Sequence, residues 1–211
     1  MSSRNEKQVP FLLSLYSLTL FFLLVLAVAS LKSTIPVAVF TRDPAVTGKI
    51  HPLSGIASHL GVLLLTASGA ICLFSRAILR PSRGKNRFSL FLLCAGLMSI
   101  VLALDDLFML HEAIFPNSFG ISERLILLTY GLLVISGIVK FRKMILQTEY
   151  LILIVVLGCF GLSFIVDGFQ ESIEVVLGQW RILVEDGFKL LGFVGWFGYL
   201  LKCSLGAVTQ E

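Results

Sequence analysis

Long apolar runs alternate with short polar segments along the chain, and this pattern predicts membrane-spanning helices. A helix needs about 20 apolar residues to cross a hydrocarbon core of about 30 Å. We therefore predict an all-α fold, a polytopic transmembrane helix bundle of six spans with residues 1–211 forming a single domain. The runs are Phe11–Leu31, Ser54–Phe74, Phe88–Phe108 with a polar extension to Glu112, Leu125–Val139, Tyr150–Val166 and Ile182–Leu201.

The composition of the chain supports a lipid environment. Hydrophobic residues make up 56% of the sequence and charged residues 14%, with a mean hydropathy of +0.93. Soluble domains have about 45–50% apolar and about 25% charged residues. This excess of apolar surface argues against a soluble or disordered protein, and four scattered cysteines argue against a disulfide scaffold.

The basic residues predict which ends of the helices face the cytoplasm. Loops rich in Lys and Arg tend to stay on the cytoplasmic side, so we expect both termini there and a multi-pass protein of the bacterial cell inner membrane. Topology accounts for the basic face, so we expect membrane lipids and no nucleic acid as partners, and a protein partner or homo-oligomer stays open. The orienting residues are Arg76, Arg80, Arg83, Lys85, Arg87, Lys140, Arg142, Lys143, Arg4, Lys7 and Lys202.

The first predicted span has an alternative interpretation as a secretory signal. Its end, Ala27-Val28-Ala29, resembles a signal-peptidase site. The apolar core of a signal peptide is about 7–15 residues long, which is shorter than this run. The length therefore favours a retained helix.

A polar cluster follows the third apolar run. Asp105, Asp106, His111 and Glu112 lie in a segment without a helix breaker before Pro116, so we expect one continuous helix there. At 100° per residue, Asp105 and Glu112 share a face, whereas Asp106 and His111 point elsewhere. Two carboxylates on one face could hold a cation or share a proton.

The last span carries a second polar group near its start. Glu185 and Asp186 precede Lys189 by four and three residues, which predicts an ion pair within the helix. Lys189 would lie roughly 10 Å inside the membrane boundary, where a charged side chain needs a partner.

These residues suggest a metal-dependent hydrolase acting on a lipid-like substrate. A divalent ion such as zinc would activate a water molecule, with Glu112 as general base and Lys189 stabilising the developing oxyanion. Asp105 and His111 lie about 120° apart on an ideal helix, so both can bind one ion only if it lies between them or the helix is distorted. The metal ligands would be His59, Asp105, His111 and one of Glu185 and Asp186.

Two other functions fit the same residues, so the sequence leaves open whether the protein is an enzyme. Paired carboxylates that alternate between protonated and ion-bound forms would suit a proton- or cation-coupled carrier. Such a carrier would need a route lined by hydroxyls such as Thr66, Ser68 and Ser99. A non-catalytic membrane subunit or assembly factor would use the polar cluster to fix helix register or dock a partner.

Two segments, LDDLFMLHE at residues 104–112 and EDGFKLLG at residues 185–192, carry a family resemblance. They resemble a family of uncharacterised bacterial multi-pass membrane proteins over most of residues 43–200. The resemblance implies the multi-pass helical fold and supplies no reaction. A looser analogy links the chain to the alkaline ceramidase and adiponectin receptor superfamily, whose helices hold zinc through histidines and an aspartate. The chain lacks that superfamily's His-x-x-x-His in its last helix, so only the principle of a membrane hydrolase is shared.

Overall fold

A computed structural model describes residues 2–33, 35–79 and 85–209, without the side chains of residues 2–15, 18, 85 and 86. These three ranges contain helices and no strand. The elements are α1 (Ser2–Lys32), α2 (Val37–Thr41), α3 (Pro44–Gly48), α4 (Ile56–Ile78), α5 (Lys85–Phe108), a π-helical turn (Leu110–Ile114), α6 (Phe115–Phe119), α7 (Glu123–Ile145), α8 (Tyr150–Gly168), α9 (Gln170–Leu177) and α10 (Trp180–Thr209).

Five helices in the described ranges are long and apolar enough to cross a membrane. They overlap the second to sixth predicted runs, although α4 begins two residues after the second run and α5 ends at Phe108. Five such helices indicate a multi-pass helical membrane protein. The first predicted run lies within α1. Residues Thr19–Lys32 of this helix form an apolar stretch that is shorter than the five long helices. The side chains of several orienting residues lie outside the described part of the chain. These are Arg4, Lys7, Arg80, Arg83 and Lys85.

The chain divides into two compact units, Met1–Ser54 and Gly55–Glu211. In the first unit, α2 packs against both α1 and α3. The side chain of Asp43 accepts a hydrogen bond from the backbone N–H of Ala45 at 2.7 Å, and Pro44 occupies the first helical position. An aspartate followed by a proline is a common helix start. The aspartate accepts a hydrogen bond from a backbone N–H that has no partner within the helix, and proline has no N–H that would need one.

In the second unit, α10 packs against α4 and α8, and α4 packs against α5. Glycines lie where these helices contact one another. A Cβ atom on Gly192 would lie 2.5 Å from the ring of Phe160, and one on Gly61 would lie 2.7 Å from Phe193. Small residues at these positions let the helix backbones approach closely, as in other membrane proteins. A Cβ atom on Gly158, in contrast, would meet nothing within 4 Å.

We expect Gly69→Ala to destabilise the crossing of α4 and α5, whereas Gly158→Ala should not destabilise α8. A Cβ on Gly69 would lie 2.6 Å from the Ile100 side chain and 3.1 Å from the backbone oxygen of Gly96, which cannot move aside easily. Overpacking of this kind costs about 1–2 kcal/mol. Because alanine favours helix more than glycine, the Gly158 variant should be neutral or slightly more stable. Thermal unfolding in detergent measures both variants, and equal shifts would contradict the proposed close approach.

Polar contacts identify two opposite ends of this unit. At one end, which we call the site end, the starts of α4, α7 and α10 meet the C-terminal end of α5. At the other, the basic end, the guanidinium of Arg87 donates to the backbone oxygen of Lys140 at 2.8 Å, and Lys202 pairs with Glu149 at 3.0 Å. Long helices that follow one another along the chain, from α4 through α5, α7 and α8 to α10, therefore run in alternating directions, as expected for consecutive spans.

Candidate polar site

Asp105 lies at the centre of the site end and is 3% exposed. Its Oδ1 accepts hydrogen bonds from the backbone N–H of His111 at 3.1 Å and from the hydroxyl of Tyr130 at 2.9 Å. Its Oδ2 is bonded to Nδ1 of His111. The carboxylate is thus buried with three donors, which offset the loss of its hydration.

A break in the helix at Met109 brings His111 onto Asp105. Met109 has the left-handed backbone angles φ 49° and ψ 46°, and the π-helical turn Leu110–Ile114 follows it. The prediction of a continuous helix to Pro116 was therefore wrong. The distortion removes the separation of about 120° that an ideal helix would impose on Asp105 and His111. Left-handed angles are uncommon outside glycine, so the surrounding contacts must hold Met109 in place.

Glu112 lies beside the histidine and is not a partner of Asp105. Its Oε1 is 3.5 Å from Nε2 of His111, and its side chain is 50% exposed. The prediction that Asp105 and Glu112 share a helix face was thus wrong, because the break at Met109 changes the register. Glu112 also interacts electrostatically with Lys189. The result is a series of groups that runs from the half-exposed Glu112 through His111 to the buried Asp105.

His111 lies beyond the end of α5, which closes the second of the five candidate spans, and its pKa is above its ordinary value. The main cause is its hydrogen bond to Asp105, which stabilises the charged ring, whereas burial acts in the opposite direction. The negative charges of Asp105 and Glu112 raise the pKa further, and Lys189 lowers it. The site therefore favours a protonated ring that donates to a carboxylate on one side and faces a second on the other.

Asp106 forms a separate network on the neighbouring side of α5. Its Oδ2 accepts from the hydroxyl of Ser58 at 2.8 Å, and its Oδ1 accepts from the ammonium of Lys189 at 2.7 Å. The predicted ion pair within α10 was wrong, since Lys189 bonds across the bundle to α5. Glu185 instead pairs with Arg181 at 2.5 Å. Ser58, Asp106 and Lys189 together connect α4, α5 and α10.

The structure brings together only part of the predicted metal site. Asp105 and His111 bind each other, whereas His59 is exposed and Glu185 pairs with Arg181. Asp186 is exposed and acts on Lys189 through its charge. Within residues 2–33, 35–79 and 85–209, no group of three or more His, Cys, Asp or Glu side chains could hold a metal ion. The described residues therefore do not support the predicted divalent ion.

Sequence reasoning missed Ser58, Tyr130 and Arg181. Arg181 stands four residues before Glu185, so a standard helical ion-pair pattern could have indicated it. Ser58 and Tyr130 carry no comparable pattern. They meet Asp106 and Asp105 only because their helices are neighbours in space.

A family model described as a domain of unknown function, DUF8692, matches residues 17–203. The chain belongs to the DUF8692 family. The matched range includes every residue of the site end described above, so the polar site lies within the DUF8692 domain. No curated protein and no solved structure gives a significant match to the chain. Membership of DUF8692 is consistent with the resemblance to an uncharacterised family that the sequence indicated, and it assigns no reaction to the chain.

We expect this DUF8692 chain to lose stability as the pH rises above about 6.5, the ordinary pKa of histidine, and through the raised pKa of His111. A histidine whose folded pKa is raised stabilises the fold fully below its unfolded pKa, and this contribution disappears as the pH passes the folded pKa. His111→Gln should remove that part of the pH dependence, whereas His59→Gln, at an exposed ring, should retain it. Melting temperatures in detergent across this range test the expectation. A wild-type profile parallel to that of His111→Gln would contradict it.

Proposed function

We propose that the protein is a proton-coupled carrier of the membrane, with the Glu112–His111–Asp105 series as its proton-binding site. The observation that carries the proposal is this series itself, which joins a half-exposed carboxylate to an almost fully buried one through a histidine. Ionisable groups at membrane depth are costly and commonly mark ion or proton pathways.

The proposed topology has six spans, with both termini on the cytoplasmic side of a bacterial inner membrane. Described basic side chains at the basic end, such as Arg76, Lys140 and Lys143, support this orientation. Helix α1, with 31 residues, is about 46 Å long at 1.5 Å per residue, which suffices for a sixth span. The Glu112–His111–Asp105 series then lies at the extracytoplasmic end of the bundle.

The proton transfers follow from the hydrogen bonds. A proton from solvent binds the carboxylate of Glu112 and passes to Nε2 of a neutral His111 ring that carries its own proton on Nδ1, which gives the charged ring. The ring then gives its Nδ1 proton to Oδ2 of Asp105, and no other bond changes. Tyr130 donates to the other oxygen of Asp105, and Lys189 donates to the carboxylate of the adjacent Asp106. This transfer leaves both groups neutral and so removes the ion pair between Asp105 and His111, which would loosen the joint between α5 and the π-helical turn.

Hydroxyls inside the bundle support a route beyond Asp105. Ser68 and Ser99 have no exposed surface, and the indole N–H of Trp196 donates to Ser99 at 2.9 Å. Thr66, the third residue predicted to line a route, is exposed on the outside of α4. Polar groups in the core can exchange hydrogen bonds during a conformational change, whereas a purely apolar core cannot.

The two other candidate functions differ in their support. A non-catalytic subunit is favoured by one observation, because the two networks at the site end link α4, α5, α7 and α10 through satisfied hydrogen bonds. A metal-dependent hydrolase stays a prediction, since the described residues offer no group of metal ligands.

Proton uptake into liposomes that contain the purified protein and a pH-sensitive dye tests the proposal. With a membrane potential imposed by potassium and valinomycin, the wild type should acidify the lumen faster than empty liposomes. His111→Gln and Glu112→Gln should reduce uptake to the background rate, whereas the exposed Glu123→Gln should not. Uptake at the background rate by folded wild-type protein would reject the carrier and leave the subunit function.

A further inference from the structure

A cavity of about 440 Å³ lies at the basic end, away from the polar site. It is bounded by the end of α4, the start of α5, the link between α7 and α8, and the last turns of α10. Leu79, Phe88 and Met144 form part of an apolar wall, and Thr148 and Lys202 contribute polar groups. This volume is typical of small-molecule sites, which combine apolar walls with a few polar groups.

The charged pair at the cavity is loosely held. Lys202 and Glu149 lie 3.0 Å apart, but their side chains are 56% and 58% exposed. Exposed ion pairs contribute about 0–1 kcal/mol, so an incoming anion can displace Glu149 from the ammonium at small energetic loss. The cavity therefore offers a cation that can bind a ligand.

The surroundings of the cavity favour an anion. The basic side chains described at this end include Lys202 in the lining and several that stand close in sequence to lining residues, and Glu149 is the acidic residue among the lining groups. Basic pockets between membrane helices commonly bind anionic lipid head groups. The bases are Arg76, Arg87, Lys140, Arg142, Lys143 and Lys202.

The position of the cavity favours a lipid over a soluble anion. Phe88 stands one residue inside the start of a candidate span, and Ala207 stands two residues before the end of another. Residues at the ends of spans lie at the level of the phospholipid head groups. We propose that this cavity binds an anionic phospholipid, with its phosphate on Lys202 and its acyl chains along the apolar wall. This proposal does not depend on the proposed carrier function.

Native mass spectrometry of the detergent-purified protein tests the site with phosphatidylglycerol and phosphatidylcholine as probes. The wild type should bind phosphatidylglycerol at least about tenfold more tightly than phosphatidylcholine, a difference that ionic recognition of one head group supplies. Lys202→Gln should remove this preference, and Glu149→Gln should strengthen it by freeing the ammonium. Arg124→Gln is the matched control, because it removes one positive charge from the exposed start of α7 at the other end. Equal binding of the two lipids, or an equal loss in Arg124→Gln, would overturn the proposal.

A charge-neutral variant separates the cavity from general electrostatic attraction. Gly206 lines the cavity, and a Cβ atom there would meet nothing within 4 Å, so Gly206→Leu should fill the space without straining α10. Gly198→Leu is the control, since Gly198 is equally unobstructed and lies outside the cavity lining. Only Gly206→Leu should lose phosphatidylglycerol. Unchanged binding in Gly206→Leu, or displacement of the lipid by equimolar inorganic phosphate, would reject a phospholipid site in this cavity.

Discussion

Replacing Asp105 by asparagine should lower the free energy of unfolding by about 3–5 kcal/mol, the usual effect of removing one partner of a buried ion pair. Asp105 is 3% exposed and bonds His111 twice and Tyr130 once. Asparagine keeps the size of the side chain, so the loss reports the missing negative charge. The protonated ring of His111 would then be buried without a carboxylate on Nδ1.

Thermal or denaturant unfolding in detergent measures this effect, with Glu112→Gln as the control. Glu112 touches the same ring but is half-exposed, so its variant should change stability by less than about 1 kcal/mol. The double variant Asp105→Asn/His111→Gln should be more stable than Asp105→Asn alone, because it removes the unpaired charge as well. If Asp105→Asn and Glu112→Gln had equal effects, Asp105 would not be the centre of the site.

Lys189→Met should lower the free energy of unfolding by about 2–3 kcal/mol, because it leaves the carboxylate of Asp106 with Ser58 as its remaining hydrogen-bond donor among the described residues. The Asp106 side chain is 9% exposed, whereas that of Lys189 is 35% exposed. Water can therefore screen part of the pair, and the expected loss is smaller than for Asp105. Methionine retains the apolar part of the lysine chain, so the measured loss concerns the charge.

The double variant Asp106→Asn/Lys189→Met should recover most of the stability lost in Lys189→Met, since neither charge then remains unpaired. Lys202→Met is the matched control, because Lys202 also pairs with a carboxylate across helices but at an exposed position. Its effect should be within about 1 kcal/mol. Failure of the double variant to recover stability would show that Lys189 acts through packing, for example against the ring of Phe193.

Much of the fold could be predicted because the length of an apolar run is a local property. The runs Tyr150–Val166 and Ile182–Leu201 lie within α8 and α10 as predicted; α8 ends two residues later, and α10 begins two residues earlier and ends at Thr209. A bilayer core of fixed thickness imposes this length on any helix that crosses it, whatever its neighbours are. The candidate residues of the polar site could also be recognised from the sequence, because a carboxylate next to a long apolar run is unusual.

The sequence alone therefore determined the long helical segments, and it singled out Asp105, His111 and Lys189 among the polar residues near their ends. The tertiary structure decided which groups meet. The backbone angles of a single residue, Met109, place His111 rather than Glu112 against Asp105. The contact between α5 and α10 places Lys189 within hydrogen-bond distance of Asp106. Helical periodicity describes one regular helix. It therefore predicts neither a local break in that helix nor which side chain of a neighbouring helix will contact it.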